Sequence, residues 1–285
     1  MKKYFFKLIC VLMILSSVAC KKSKTPEPTT SSKDNNLILG NPSGALTSTD
    51  FADNYLLSKS QYTLSYNKDK GTPNWVSWRL TTSWLGSTPR QDDFRADNAL
   101  PSQWYHVQEY DFSGSGFDRG HMCPSGDRTN SVDNNSATFL MSNMVPQAPN
   151  NNEITWEKLE EYERTLAYDD NTVFIIAGPN GSGGTGSNGG VTYTLAGGHV
   201  TVPASVWKIV VVAPHGTTDP SQITTSTRVI AVNMPNTQSV SSQSWGYYRV
   251  SVDQLESLTG YDFLSDVPQD VQDVIEASVD SGPTQ

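Results

Sequence analysis

The stretch DRGHMCPSGDR, Asp118 to Arg128, places one histidine, two arginines, two aspartates and a cysteine within eleven residues. Histidine titrates near neutrality and acts as a general base when unprotonated. Gly120 allows close backbone approach, and Arg119 sets a permanent, fork-shaped cation beside His121. The other histidines offer less. His199 and His215 lie in AGGHVTV and APHGTT, turn-like settings expected to be structural or exposed. His106 alternates with aromatics in QWYHVQEY, as a residue packed beside a strand would.

A second set of groups follows in MVPQAPNNNEITWEKLEEYERTLAY. Asn151 or Asn152 stands where a helix should begin, and the ordinary role of asparagine there is an N-cap. At about 100° per residue from Asn152, Glu160 falls two turns on and Arg164 one turn further, beside an apolar stripe of Trp156, Leu159, Tyr162 and Leu166. By itself a Glu160–Arg164 pair at i, i+4 is a common solvated decoration. Joined to His121, the set is what phosphodiester hydrolysis requires. A histidine takes a proton from water, oxygen ligands hold a hard cation such as Mg2+ with several of its waters, and arginines stabilise charge on phosphate. The competing reading makes Cys123 a nucleophile paired with His121 two residues away. No thiol-protease or transferase signature accompanies it, so Cys123 reads as a small buried residue.

Strands and two helical regions must position these groups. QYTLSYN (61–67), WVSWRLT (75–81), TVFIIAG (172–178), VTVPASVWKIVVVA (200–213) and TRVIAVNMP (227–235) are alternating or β-branched runs bounded by turn residues. Helices are expected over 155–168, over 252–260 and, shorter, within 268–279. Strands with interspersed helices and no regular βαβ alternation indicate an α+β fold around a central antiparallel sheet with flanking helices. The run GPNGSGGTGSNGG, 178–190, reads as a long flexible connection, because it lacks the order of a phosphate-binding loop.

Taken in order, NWVSWRL, STPRQDDFRAD, SGSGFDRGHMCPSGDRT, ATFLMSNMVPQAPNNNEITWEKLEEYER, VFIIAGPNG, VTVPASVWKIVVV, TRVIAVNMPN and VSVDQLESLTGYDFLS resemble the DNA/RNA non-specific endonuclease family of the ββα-metal class, from about Asn36 to about Val274. The specific element is DRGHxxPxxDR followed by NxxxWxxLE. The resemblance implies that His121 is the general base and Asn152 the single direct protein ligand to Mg2+, with Mn2+ a substitute. It implies that Glu160 holds metal-bound water, that Arg119 and Arg164 support the metal site and the phosphate, and that Arg90 is a further phosphate-binding arginine. These are the expected catalytic and substrate-binding residues. Also implied is a ββα-metal motif on the sheet, and cleavage of single- and double-stranded DNA and RNA to 5′-phosphates. Such an enzyme engages phosphate without base specificity. Cys123 departs from the family, which more often has a small apolar residue such as alanine there. A proteinaceous inhibitor is left unidentified.

The chain opens with MKKYFFKLICVLMILSSVAC, a basic start, an apolar run and small residues, which is the pattern of an export signal too short for a stable span. SVAC resembles the lipobox of bacterial lipoproteins, with Cys20 as the lipid anchor. The following KKSKTPEPTTSSKDNN suits a tether. The expected organisation is a signal over 1–19, an anchor cysteine and linker over 20–35, and one domain over 36–285, held by lipid to a membrane of the cell envelope at the periplasm or cell surface, or else secreted. Cys123 would then be the one free thiol of the mature chain, which excludes an internal disulfide. The formal charge is −9, and removal of Lys2, Lys3 and Lys7 with the signal leaves 17 basic against 29 acidic residues, or −12. An acidic chain taken alone argues against a nucleic-acid partner, so any phosphate binding has to come from a local arginine cluster.

Overall fold

The computed structural model describes residues 36–284. The signal segment, Cys20 and the tether up to residue 35 lie outside the described residues. The first strands are β1 (Tyr55–Ser58), β2 (Thr63–Asn67) and β3 (Thr72–Leu80). β4 (Asp118–His121), α1 (Val132–Ala137), β5 (Met144–Gln147), α2 (Glu157–Tyr168) and β6 (Asn171–Asn180) follow. The short β7 (Thr194–Leu195) and β8 (Val200–Thr201) precede β9 (Ser205–Pro214), β10 (Arg228–Pro235) and β11 (Arg249–Val250). α3 (Val252–Thr259) and α4 (Gln269–Ile275) come last.

Seven strands form one sheet in the order β1-β2-β3-β6-β9-β10-β11, and every pairing is antiparallel. The fold is therefore α+β with a central antiparallel sheet. Alternate residues of β3, β6, β9 and β10 feed two separate cores. Val76, Ile175, Val210 and Ile230 pack with Trp156, Leu159 and Leu166 around α2. Trp75, Phe174, Ile209 and Val229 pack with Val252, Leu255, Val271 and Ile275 of α3 and α4. Covering both faces explains why β9 reads as an almost continuous apolar run and not as an alternation.

One residue of β9 breaks that run. Lys208 is fully buried on the α2 face, with Nζ 3.2 Å from Oε1 of the equally buried Glu163 and 4.2 Å from the centre of the Trp156 ring. Glu163 belongs to the buried side of α2, next to the apolar stripe, where the helical pattern alone gives no reason for a charge. Burial pushes the Glu163 carboxyl up to about 7, against the pull of Lys208.

The expected strand over 200–213 divides in two. Pro203 supplies no ladder N–H, and its carbonyl accepts from Asn236 at 2.9 Å, so Val200–Thr201 pairs with β7 while β9 starts at Ser205. The glycine-rich run is a connection as expected, but a hydrogen-bonded one. Thr185 N–H donates to the Asn236 carbonyl at 2.9 Å, and Ser187 N–H to the Gly116 carbonyl at 2.8 Å. His106 lies in no strand, and its Nε2 is 3.1 Å from the Pro101 carbonyl. His199 is exposed and stacked on Tyr105, while His215 is exposed beside Asp170, as expected of both.

Replacing Lys208 with Met should leave Glu163 buried without a cation and cost about 3–5 kcal/mol, measured as a lower midpoint in urea unfolding. The double change Lys208→Met with Glu163→Leu is expected to restore most of that loss. A single variant as stable as the parent would show that the pair does not hold α2 to the sheet.

Candidate active site

β4 and β5 pair apart from the large sheet, with His121 opposite Met144 and Arg119 opposite Pro146. A Cβ at Gly120 would collide with the Gln147 side chain, so the motif's glycine is set by packing between these strands. Beyond His121 the side chain of Asn143 takes over the pairing. Its Oδ1 accepts from Cys123 N–H at 3.0 Å and its Nδ2 donates to the Cys123 carbonyl at 2.8 Å, while its own carbonyl accepts from Met122 N–H at 2.9 Å. The backbone on the C-terminal side of His121 is thereby fixed.

The chain leaves β5 through three asparagines and passes through a π-helical turn, Asn151–Trp156, before α2 begins. The expected N-cap is absent, since no side chain caps either segment. Asn151 is buried. Its Oδ1 accepts from Gln147 Nε2 at 2.8 Å and its Nδ2 donates to the Pro235 carbonyl at 2.9 Å. Asn150 binds Gln238, and Asn236 accepts from Ala148 N–H at 2.7 Å. Two of the three asparagines thus fasten the turn to the end of β10. Asn152 is left to face the cleft.

Asn152 Nδ2 donates to Oδ2 of Asp118 at 2.9 Å. A carboxylate only accepts, so the amide must turn its NH2 towards Asp118, and Oδ1 has no protein partner among the described residues. The π turn also invalidates a count at 100° per residue, because its i→i+5 bonding widens the spiral. Asn152 therefore does not lie on one straight strip with Glu160 and Arg164.

A cleft of about 290 Å³ gathers Arg90, Phe94, Asp118, Arg119 and Asn152. The Arg119 guanidinium lies 4.3 Å from the Phe94 ring centre, and that of Arg90 lies 4.8 Å from Phe139 with Nη1 3.1 Å from Ser125 Oγ. The same two rings flank His121, at 5.6 Å for Phe94 and 4.9 Å edge-on for Phe139. His121 is buried, and its Nε2 is without a hydrogen-bond partner. Burial, helped by Arg90 and Arg119, pulls its pKa down to about 3. The imidazole is neutral over the physiological range, as a base must be.

Glu160 and Arg164 do not line this cleft. They belong to a charged group with Asp127, Glu163 and Lys208. Arg164 Nη1 is 3.1 Å from Oδ1 of the buried Asp127, whose Oδ2 accepts from Trp78 Nε1 at 2.9 Å. Gly126 leaves the room for that guanidinium, since a Cβ there would lie 2.8 Å from Arg164 Nη1. Glu160 is half-buried, and burial pushes its carboxyl up to about 8 despite Lys208 and Arg164. Arg128, the last residue of the motif, is fully buried and donates to the carbonyls of Gln61 and Arg79, a structural role.

Cys123 is fully buried in the core around α2, and burial raises its thiol to about 12. A thiol held neutral cannot serve as a nucleophile. A larger cavity of about 590 Å³ lies elsewhere, beside α2 and the Ser241–Trp245 turn, and its charged residues Lys158 and Glu161 pair with each other at the surface. Asp118, Asn143, Asp127, Phe94 and Phe139, which the motif reading passed over, contact Asn152, the backbone beside His121, Arg164 and the His121 ring. Asp118 and Asp127 are written in the motif itself, but their partners, Asn152 and Arg164, lie more than thirty residues away.

A hard divalent ion fits the Asn152 amide oxygen, which has no protein partner among the described residues, in a polar cleft that admits water; Glu160 is not among the residues that line that cleft.

The sequence matches the DNA/RNA non-specific endonuclease family over residues 40–270. It is 52% identical over 245 residues to "Nuclease" of Nostoc sp. (strain PCC 7120), a match covering 86% of each chain. It is 32% identical over 214 residues to "Nuclease EXOG, mitochondrial" of Xenopus laevis, covering 73% of this chain and 58% of that relative. Among solved structures, a chain of the EndoG/EndoGI complex has the same fold, with a TM-score of 0.69 and 24% identity, covering 85% of this chain and 95% of that one. The chain therefore belongs to the DNA/RNA non-specific endonuclease family and is an enzyme of the nuclease class.

Proposed function

We propose that this chain is a Mg2+-dependent endonuclease that hydrolyses phosphodiester bonds of single- and double-stranded DNA and RNA to 5′-phosphate products, indifferent to sequence and sugar, with Mn2+ as a substitute ion. The observation that carries this reading is the Asn152 amide, turned by Asp118 so that its oxygen is unpartnered in the cleft lined by Arg90 and Arg119.

Each residue then has a task. Arg90 and Arg119, braced on Phe94 and Phe139, bind phosphate oxygens through charge-assisted hydrogen bonds. His121, neutral in its aromatic slot, accepts the proton of the attacking water. Asn152 directly, and Glu160 through water, would hold the ion, which when bound supplies electrostatic stabilisation of charge on the leaving oxygen. Arg164, clamped by Asp127, favours the charged form of Glu160. Phosphate contacts position the substrate and carry no sequence information, which fits a non-specific enzyme.

The chain is further proposed to be exported and anchored through lipid on Cys20, on the pattern of its first twenty residues. Mass spectrometry of the mature amino terminus should find an acylated Cys20. An unmodified terminus overturns the anchor and leaves secretion.

Plasmid DNA and RNA incubated with the purified chain should both be cleaved with Mg2+ and remain intact in EDTA. His121→Ala is expected to lower turnover by about 10²–10⁴-fold with folding retained, and Asn152→Ala to abolish the response to Mg2+. Intact substrates with the folded parent would sink the nuclease reading. For Asp118→Asn, which frees the Asn152 amide to flip, the expected effect is about a 10–100-fold rise in the Mg2+ concentration for half-activation. Unchanged Mg2+ dependence would remove Asp118 from its positioning role.

A further inference from the structure

Four acidic residues are buried among the described residues: Asp97, Asp127, Glu163 and Glu276. Three have a cation at hand. Lys59 Nζ lies 2.8 Å from Asp97, Arg164 pairs with Asp127, and Lys208 with Glu163. Glu276 has none, although it is only 5% exposed and its Oε1 has no hydrogen-bond partner. Its position adds to the cost. It caps the carboxyl end of α4, where the helix dipole is already negative.

Two further carboxylates converge on it from α3. Asp253 in the first turn and Glu256 one turn later each bring an oxygen within 4.8 Å of the other two residues' ligand oxygens. The backbone holds the three together, because Asp253 N–H donates to the Glu276 carbonyl at 3.1 Å. Glu256 is oriented by Phe263 N–H, which donates to its Oε1 at 2.7 Å. Asp262 and Asp273 add like charge around Glu276. None of these five acids takes part in an ion pair among the described residues.

We propose that Asp253, Glu256 and Glu276 form a Ca2+ site, separate from the hydrolytic centre, that clamps the start of α3 to the end of α4. Three convergent carboxylate oxygens, one of them buried and lacking a donor, present the ligand set of a cation. Ca2+ accepts six to eight oxygens at about 2.3–2.6 Å in irregular geometry, so one ion spans oxygens up to about 5 Å apart and takes water on the exposed Asp253 side. Mg2+ requires near-octahedral geometry at about 2.0–2.1 Å and suits this loose, partly buried set less well. α3 and α4 pack on the sheet face opposite α2, so the ion would stabilise the fold without entering the chemistry at His121.

The test uses the full chain stripped with EDTA, with thermal unfolding followed in EDTA, in Ca2+ and in Mg2+, and with direct calorimetric titration of Ca2+. Ca2+ should raise the midpoint by several degrees, more than Mg2+ at equal concentration. Asn152→Ala, which silences the active-site ligand, should keep the whole Ca2+ increment. Glu276→Gln should raise the metal-free midpoint by removing a buried acid that its neighbours disfavour, cancel the Ca2+ increment and weaken Ca2+ binding by about tenfold or more. Asp253→Asn, at an exposed position, should also reduce the increment and serves if Glu276→Gln fails to fold. Absence of any Ca2+ shift in the parent, a shift that survives Glu276→Gln and Asp253→Asn, or a shift lost in Asn152→Ala overturns the site. An equal shift with Mg2+ overturns its assignment to Ca2+.

Discussion

The buried contact of Lys208 with Glu163 and the Trp156 ring is the constraint on which the rest of the structure turns. It joins the middle of β9 to the inner face of α2, within the core that packs around that helix. Removing two charges from water is costly, and mutual attraction offsets that cost only when the geometry is tight. The pair therefore selects one rotation and one height of α2 over the sheet. Arg164, Glu160 and Asp127 share the same charged group, so the register chosen by Lys208 is passed to them.

The other side of the site is held by hydrogen bonds. Asn143 continues the β4–β5 pairing past His121, and Asn150, Asn151 and Asn236 fasten the π turn to the end of β10. These side-chain amides have both donor and acceptor, which allows each to bind two backbone segments at once. Asn152 is exceptional among its neighbours in spending its donors on a carboxylate in the cleft. The His121 imidazole and the Asn152 amide oxygen, from two different elements, are thus set by fixed surroundings, which is the kind of preorganisation that electrostatic catalysis demands.

Much of this was legible in the sequence. β2, β3, β6 and β10 appear as alternating or β-branched runs, and α3 ends at Gly260, which adopts the left-handed conformation expected of a helix-terminating glycine. His121 and Asn152 were legible through the motif and its spacing. The π turn was not, because a local pattern of apolar residues at 156, 159, 162 and 166 is the same whether or not the preceding turn is widened. Asp118 facing Asn152, or Lys208 beneath Glu163, depends on contacts 34 and 45 residues apart in the chain. Such pairings leave no periodicity to read. The π turn itself is set by Asn150 and Asn151 meeting β10's end, a tertiary demand that overrides the usual N-cap preference.

Charge is the point where composition and structure pull apart, and the arrangement of side chains resolves it. An overall excess of acid disfavours a polyanion at long range, but screening confines that repulsion to about a Debye length, near 8 Å at physiological salt. Inside that distance the local array decides. Arg119 forms no ion pair among the described residues and is held by the Phe94 ring and a long 3.5 Å contact to the Glu109 carbonyl, so its donors stay available. Stacking a guanidinium on an aromatic face keeps its charge while lowering the entropy lost when it meets phosphate. Acids share the cleft, since Asp92, Asp118 and Glu153 also line it and Asp92 pairs with Arg90, while a further acidic cluster surrounds Glu276 on the opposite side of the sheet. Phosphate binding by an acidic chain thus requires no change of net charge, only an aromatic-braced arginine, such as Arg119, whose donors are not taken up by the acids beside it.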